Sequence, residues 1–180
     1  MKACKDKGSA VDRKGESNMV SIVKAKVEHE YNHAKNLMVE YSESIGIDLS
    51  FQNFDAELKN VVKEYGAPDG CLLLAKDGEQ FVGCVALRKI DHQICKMKRL
   101  YVKPDWKGKG IGKRLATSIL KEGKALGYHF MRLDTLSSMK PAVSLYKSLG
   151  FYEIDPYYFN PIENTLYMEL NLLKCDSKSR

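Results

Sequence analysis

Residues 94–136, ICKMKRLYVKPDWKGKGIGKRLATSILKEGKALGYHFMRLDTL, decide the fold. Ile94–Val102 reads as a strand and Lys107–Gly112 as a glycine-rich loop. Ile111, Leu115, Ile119, Leu120 and Leu126 then recur at helical spacing as far as Gly127, and Tyr128–Leu136 is a second strand. A strand–helix–strand crossover of this kind makes the two strands parallel neighbours. The loop carries the chemistry. Glycine lets backbone N–H groups approach a ligand closely. The first N–H groups of a helix lack internal partners and sit at the positive end of its dipole. Together these features make a phosphate cradle. A dinucleotide fingerprint is excluded because Lys113 stands where its third glycine belongs. A P-loop is excluded because Gly112-Lys113 is followed by Arg114.

Upstream, Cys71–Lys76 is nearly all apolar, Asp77-Gly78 predicts a two-residue hairpin turn, and Gln80–Ile90 is the partner strand. Asp91-His92 turns the chain into Ile94–Val102, which completes an antiparallel meander. Before it, Ser21–Val27 reads as a strand. Glu28–Ser44 is a helix with Tyr31, Ala34, Leu37, Met38 and Tyr41 on one side. Phe54, Leu58, Val61, Val62 and Tyr65 mark a second helix, with Asn53 or Asp55 as cap and Gly66-Ala67-Pro68 as stop. Downstream, Pro141–Leu149 is a short helix closed by Gly150, and Phe151–Ile154 and Thr165–Leu173 are strands. The sum is an α/β chain of α+β type. It has a mixed, mostly antiparallel sheet of about seven strands and about four helices on both faces. Residues 1–18 read as a flexible leader, 19–175 as one domain and 176–180 as a tail.

The 180 residues suit a single core. The longest apolar run, Cys71–Ala75, is far too short to cross a bilayer, and residues 1–18 hold no apolar signal segment. The five cysteines are odd in number and contain no CxxC pair, which argues for reduced thiols in a cytoplasmic protein without a metal site. The net charge of +6 is spread along the chain, except for a dense stretch from Lys96 to Arg114. That stretch suits a compact polyanion such as a phosphorylated cofactor. It lacks the interleaved aromatics of a nucleic-acid platform.

The loop Lys107-Gly108-Lys109-Gly110-Ile111-Gly112 resembles the Gln/Arg-x-x-Gly-x-Gly/Ala signature of the GNAT superfamily of N-acetyltransferases. Met97–Pro104 is similar to that family's fourth strand, and Ala142–Phe151 to its next helix and strand. The element order from Val20 to Leu173 fits as well. The resemblance implies acetyl-CoA as co-substrate, a small-molecule or peptide amine as acceptor, direct attack on the thioester, and a possible homodimer. It implies that the backbone of Lys107, Gly108, Lys109, Gly110, Ile111, Gly112 and Lys113 holds the pyrophosphate. The main chain of Leu100, Tyr101 and Val102 would pair with the pantetheine arm, with the Leu100 N–H polarising the thioester carbonyl. Tyr146 would protonate the departing thiolate.

The chain departs from the pattern in three places. Lys107 replaces Gln or Arg, Met139 replaces an Asn, and Lys96 replaces the Glu that many members carry eleven positions before the loop. The base is therefore open, with Glu43 or a water chain as candidates. Lys96 and Arg88 either bind a carboxylate on the acceptor or are solvated strand-edge charges, and Tyr157-Tyr158-Phe159 either lines its pocket or packs the domain edge. Two other readings stand beside this one. A non-catalytic acyl-CoA-binding protein would explain the missing Glu. His29-Glu30-Tyr31-Asn32-His33 has the spacing of a zinc hydrolase motif, placed at a helix start with no third ligand in sequence view.

Overall fold

The structure is a computed structural model that describes residues 20–46 and 53–174. The expected leader at 1–18, Met19, the tail at 176–180, Cys4 and Cys175 lie outside the described residues. The elements run β1 (Ser21–Lys24), α1 (Glu28–Ile45), α2 (Phe54–Lys59), α3 (Val61–Tyr65), β2 (Cys71–Asp77), β3 (Gln80–Lys89), β4 (Ile94–Val102), α4 (Ile111–Ala125), β5 (Phe130–Leu136), α5 (Lys140–Ser148), β6 (Tyr152–Ile154) and β7 (Thr165–Asn171). The strands form one seven-stranded sheet in the order β1-β2-β3-β4-β5-β7-β6. Only β4 and β5 pair in parallel, across the α4 crossover.

Alternation along the central strands sends side chains into two cores. On one face Leu73, Val85, Leu87, Met97, Met131 and Leu133 pack under α4 and α5. On the other, Leu72, Leu74, Cys84 and Ala86 meet Tyr31, Ala34, Leu37 and Met38 of α1 and Val61 and Tyr65 of α3. The helical stripes predicted for α1 and α4 are the ones that face inward. Cys71, Cys84 and Cys95 are buried thiols, each pushed up to about 12 by burial.

Three local readings shift. The single helix expected over 54–65 is two, divided at Asn60, so the described residues hold five α-helices. The Asn60 amide donates back to the Ala56 carbonyl from both its backbone and its side chain. The second piece turns Val61 and Tyr65 inward and leaves Val62 exposed, while Glu57 becomes buried. The β2–β3 turn falls on Gly78-Glu79, one residue later than expected, because Asp77 pairs with Gln80. Glu30 reaches back to accept hydrogen bonds from the Lys26 and Val27 N–H groups at 2.7 and 3.2 Å. These bonds cap α1 and hold its carboxyl below the usual range. His33 stacks on Phe81 with ring centroids 4.6 Å apart. The motif His29–His33 thus serves as a helix start, and no cluster of three potential metal ligands occurs among the described residues.

Candidate active site

A bulge in β4 creates the cleft. Ala86 pairs with Lys98 and Cys84 with Tyr101, so Arg99 and Leu100 together oppose Val85. Arg99 has φ +57°, a conformation that L-residues adopt at a cost. A buried ion network holds it there. The Glu57 carboxylate accepts from Arg99 Nε at 2.8 Å and Nη2 at 2.7 Å, from Lys98 Nζ at 2.8 Å and from the Tyr65 hydroxyl at 2.6 Å. The guanidinium also lies 4.8 Å from the Phe54 ring centroid. Burial alone would raise the Glu57 pKa, but Arg99 and Lys98 outweigh it and hold the group at about 2. Burial and the neighbouring Arg99 push the Lys98 amine down to about 8.

The parallel pairing of β4 with β5 ends at Lys96–Arg132, while β5 stays paired with β7 as far as Leu136–Thr165. The two strands therefore splay, and a wedge opens between Met97–Leu100 and Leu133–Thr135. Two adjoining cavities of about 70 and about 240 Å³ fill it. The larger is bordered by Leu100, Lys107, Gly112, Asp134, Met139 and Tyr146, among others. Loop, strand bulge and α5 thus face one space.

At one end of the wedge stands the glycine-rich loop. Gly108 and Gly110 have φ +77° and +75°, and a Cβ added at either would touch nothing within 4 Å. The open space and the left-handed backbone are what a cradle for a bulky anion needs. Gly110 caps α4, and among the described residues no carbonyl accepts from the N–H groups of residues 108–113. Lys107, Lys109, Lys113 and Arg114 ring the same end and are exposed. Their positive charge adds to the helix dipole. Unspent amides, clear space and positive surroundings fit a diphosphate. The edge of β4 left without a partner fits an extended polar arm that pairs as an added strand. Ile111 does not face this space with its side chain but fills the core.

Tyr146 is 8% exposed, packs edge-on against Phe151 at 5.8 Å and borders the larger cavity. Burial pushes its hydroxyl well above the usual phenol range, so it carries its proton at neutral pH. Leu100 is half-buried on the opposite wall. Lys96, at the position of the missing Glu, is neither solvated nor free. It ion-pairs with Asp134 of β5 and lies 4.3 Å from the Tyr158 ring centroid. Tyr158 in turn donates to Asp134 Oδ2 at 2.9 Å. Arg88 pairs with Lys96 across β3 and β4 and bonds Glu64 at 3.2 Å. Arg88, Lys96 and Tyr158 therefore converge on one further cavity. Glu43 does not join them; it is exposed on α1 and borders neither wedge cavity.

Sequence reading did not single out Asp134, yet among the described residues it is the one carboxylate bordering either wedge cavity. The signal was present: Asp134 is an acidic residue inside β5, two positions beyond Arg132, where parallel pairing stops. Glu57 was hidden by the expectation that its helix was continuous.

The sequence matches the acetyltransferase (GNAT) family over residues 32–151. It is 43% identical over 157 residues to an uncharacterized N-acetyltransferase of Schizosaccharomyces pombe, a match that covers 86% of this chain and 96% of the other. It is 32% identical to an uncharacterized N-acetyltransferase of Dictyostelium discoideum, over 86% of this chain and 99% of the other. Among solved structures, an acetyltransferase of Streptococcus agalactiae superposes with a TM-score of 0.69 at 21% identity, over 84% of this chain and 98% of that one. A GNAT family acetyltransferase of Elizabethkingia anophelis with acetyl-CoA bound superposes with a TM-score of 0.59 at 20% identity, over 87% and 99%. These structural likenesses bear on the fold.

Proposed function

We propose a reaction for this chain, which belongs to the GNAT family of acetyltransferases: it moves an acetyl group from acetyl-CoA to a primary amine of a small molecule or peptide, by direct attack on the thioester. The chain is an acyl-CoA-dependent N-acetyltransferase; the acceptor class and the residue roles are our reading.

The observation that carries this reading is the single space shared by the loop, the β4 bulge, Asp134 and Tyr146. The N–H groups of residues 108–113 hold the diphosphate. The free edge at Leu100, Tyr101 and Val102 orders the arm. The Leu100 N–H donates to the thioester oxygen, where negative charge grows as the amine attacks. Asp134, kept in place by Lys96 and Tyr158, accepts a hydrogen bond from the amine and takes its proton as the C–N bond forms. Tyr146 gives its proton to the sulfur as the C–S bond breaks. The products are the acetylated amine and free CoA. A bound acetyl group thus meets a donor, a base and an acid already in place.

The sequence expectation of a cytoplasmic protein stays part of this proposal. Among the described residues no helix is long and apolar enough to cross a membrane.

The test has two arms. Acetyl-CoA at about a hundred times its dissociation constant adds about 2.7 kcal/mol to stability in a thermal shift series. A panel of primary amines, followed by free-thiol release, then yields acetylated product by mass spectrometry. Binding without turnover on any amine would favour the non-catalytic reading.

A further inference from the structure

The cavity at the outer end of β4 has a wall of four cations, Arg88, Lys89, Lys96 and Lys98, together with Tyr157 and Tyr158 and, among the described residues, no carboxylate. It measures about 600 Å³. Each cation has an acidic partner: Glu64 for Arg88, Asp69 for Lys89, Asp134 for Lys96 and Glu57 for Lys98. None of those acids reaches the cavity wall. The member of each pair that borders the cavity is therefore the basic one, and the acid stands behind it. A set of side chains arranged only to neutralise one another would show both signs.

Arg88 adds a second observation. It spends Nη1 on Glu64 at 3.2 Å, and its Nε has no hydrogen-bond partner. An arginine with donors to spare matches the two oxygens of a carboxylate. The sheet also brings these charges into register: Arg88 pairs with Lys96, and Lys96 with Arg132. Arg132 is neutralised by Glu169 at 2.8 Å and lies outside the cavity wall.

The cavity adjoins the wedge. Lys98 borders all three cavities, and Lys96 touches Asp134, which belongs to the wedge. At about 3.3 Å per residue, Lys98 and Lys96 stand about 7 and about 13 Å along β4 from Leu100. An acceptor that meets both the thioester and these cations is extended, with its amine at one end and an anion at the other.

We infer that the acceptor is an amine that carries a carboxylate several bonds away, and that Arg88, Lys89 and Lys96 bind that carboxylate. This rests on the transferase reading above and names its substrate class. Asp134 then receives the amine while the cavity holds the acid, so opposite charges on one small molecule meet opposite charges on the protein. Tyr157 and Tyr158 give the intervening chain an aromatic wall.

The experiment compares kcat/KM for 6-aminohexanoate with that for 6-aminohexanamide and hexylamine, and for glycylglycine with glycylglycinamide. The carboxylates are expected to lead by about tenfold or more, since a charge-assisted bond contributes about 1.5–3 kcal/mol. Arg88→Gln reduces that lead about tenfold, because kcat/KM falls far more for the carboxylates than for hexylamine. Lys89→Gln, at a more exposed position, reduces it less. Folding of each variant is checked by its thermal shift with acetyl-CoA. Equal turnover of charged and uncharged members, or equal loss on both in Arg88→Gln, overturns the carboxylate site alone. Turnover of no amine by a protein that binds acetyl-CoA overturns the transferase reading, and the acceptor class with it.

Discussion

Replacing Glu57 by Gln tests how the β4 bulge is held. The carboxylate is 4% exposed and serves two cations and a phenol at once. Glutamine keeps the volume and removes the charge, leaving Lys98 and Arg99 in the protein interior without an acid. Breaking a buried pair in this way costs about 3–5 kcal/mol. A second route gives a similar figure. Glu57 titrates at about 2 in the folded protein against a usual 4.5, and each unit is about 1.36 kcal/mol, so the ionised group contributes about 3 kcal/mol. The sign follows from the depressed pKa. The contribution is complete above pH 4.5 and disappears as the pH falls towards 2. Urea unfolding at pH 7 should show the variant about 3–5 kcal/mol less stable, with a melting temperature lower by roughly 6–20 °C. Between pH 5 and pH 2.5 the parent should converge on the variant. Because the same network sets Arg99 at φ +57° next to Leu100, kcat should fall while affinity for CoA changes little. A variant within 1 kcal/mol of the parent at pH 7, or an unchanged acid limb, would refute the argument.

Four other outcomes follow from the site. Tyr146→Phe keeps the packing against Phe151 and removes the proton donor, so kcat should fall by about 10²–10⁴ with acetyl-CoA binding intact; steady-state kinetics decide. Asp134→Asn should lower kcat/KM for every amine, and its loss should shrink as pH rises and more of the amine arrives deprotonated, seen in a pH–rate profile. Gly110→Val forces a branched side chain into φ +75°. It should cost about 1–2 kcal/mol in stability and weaken CoA binding by at least tenfold, measured by calorimetry. Cys71, Cys84 and Cys95, with thiols pushed up to about 12, should resist alkylation at pH 8 in the folded protein and react in urea, as peptide mapping would show.

What the sequence made legible was whatever depends on short-range pattern. The 3.6-residue stripes of α1 and α4, the meander β2–β4 and the glycine loop rest on neighbours along the chain, and each is present, with only the β2–β3 turn displaced by one residue. Features that depend on pairing between strands were not legible. The bulge at Arg99 and Leu100 is a difference in count between β3 and β4, visible only once the register is known. Asp134 acquires its place because β5 leaves β4 beyond Lys96–Arg132. Lys96 read as a surface charge until the sheet placed it opposite Asp134. Glu57 drew no notice, because it falls outside the apolar stripe of the helix expected over 54–65, which Asn60 in fact divides.

Cofactor binding at this site depends on the amides of the glycine loop. Titration of ¹⁵N-labelled protein with CoA, followed through its amide resonances, addresses them one by one. The expected result is that the N–H signals of residues 108–113 move most, downfield, and saturate together with binding. Saturated binding that leaves those six signals in place would contradict it.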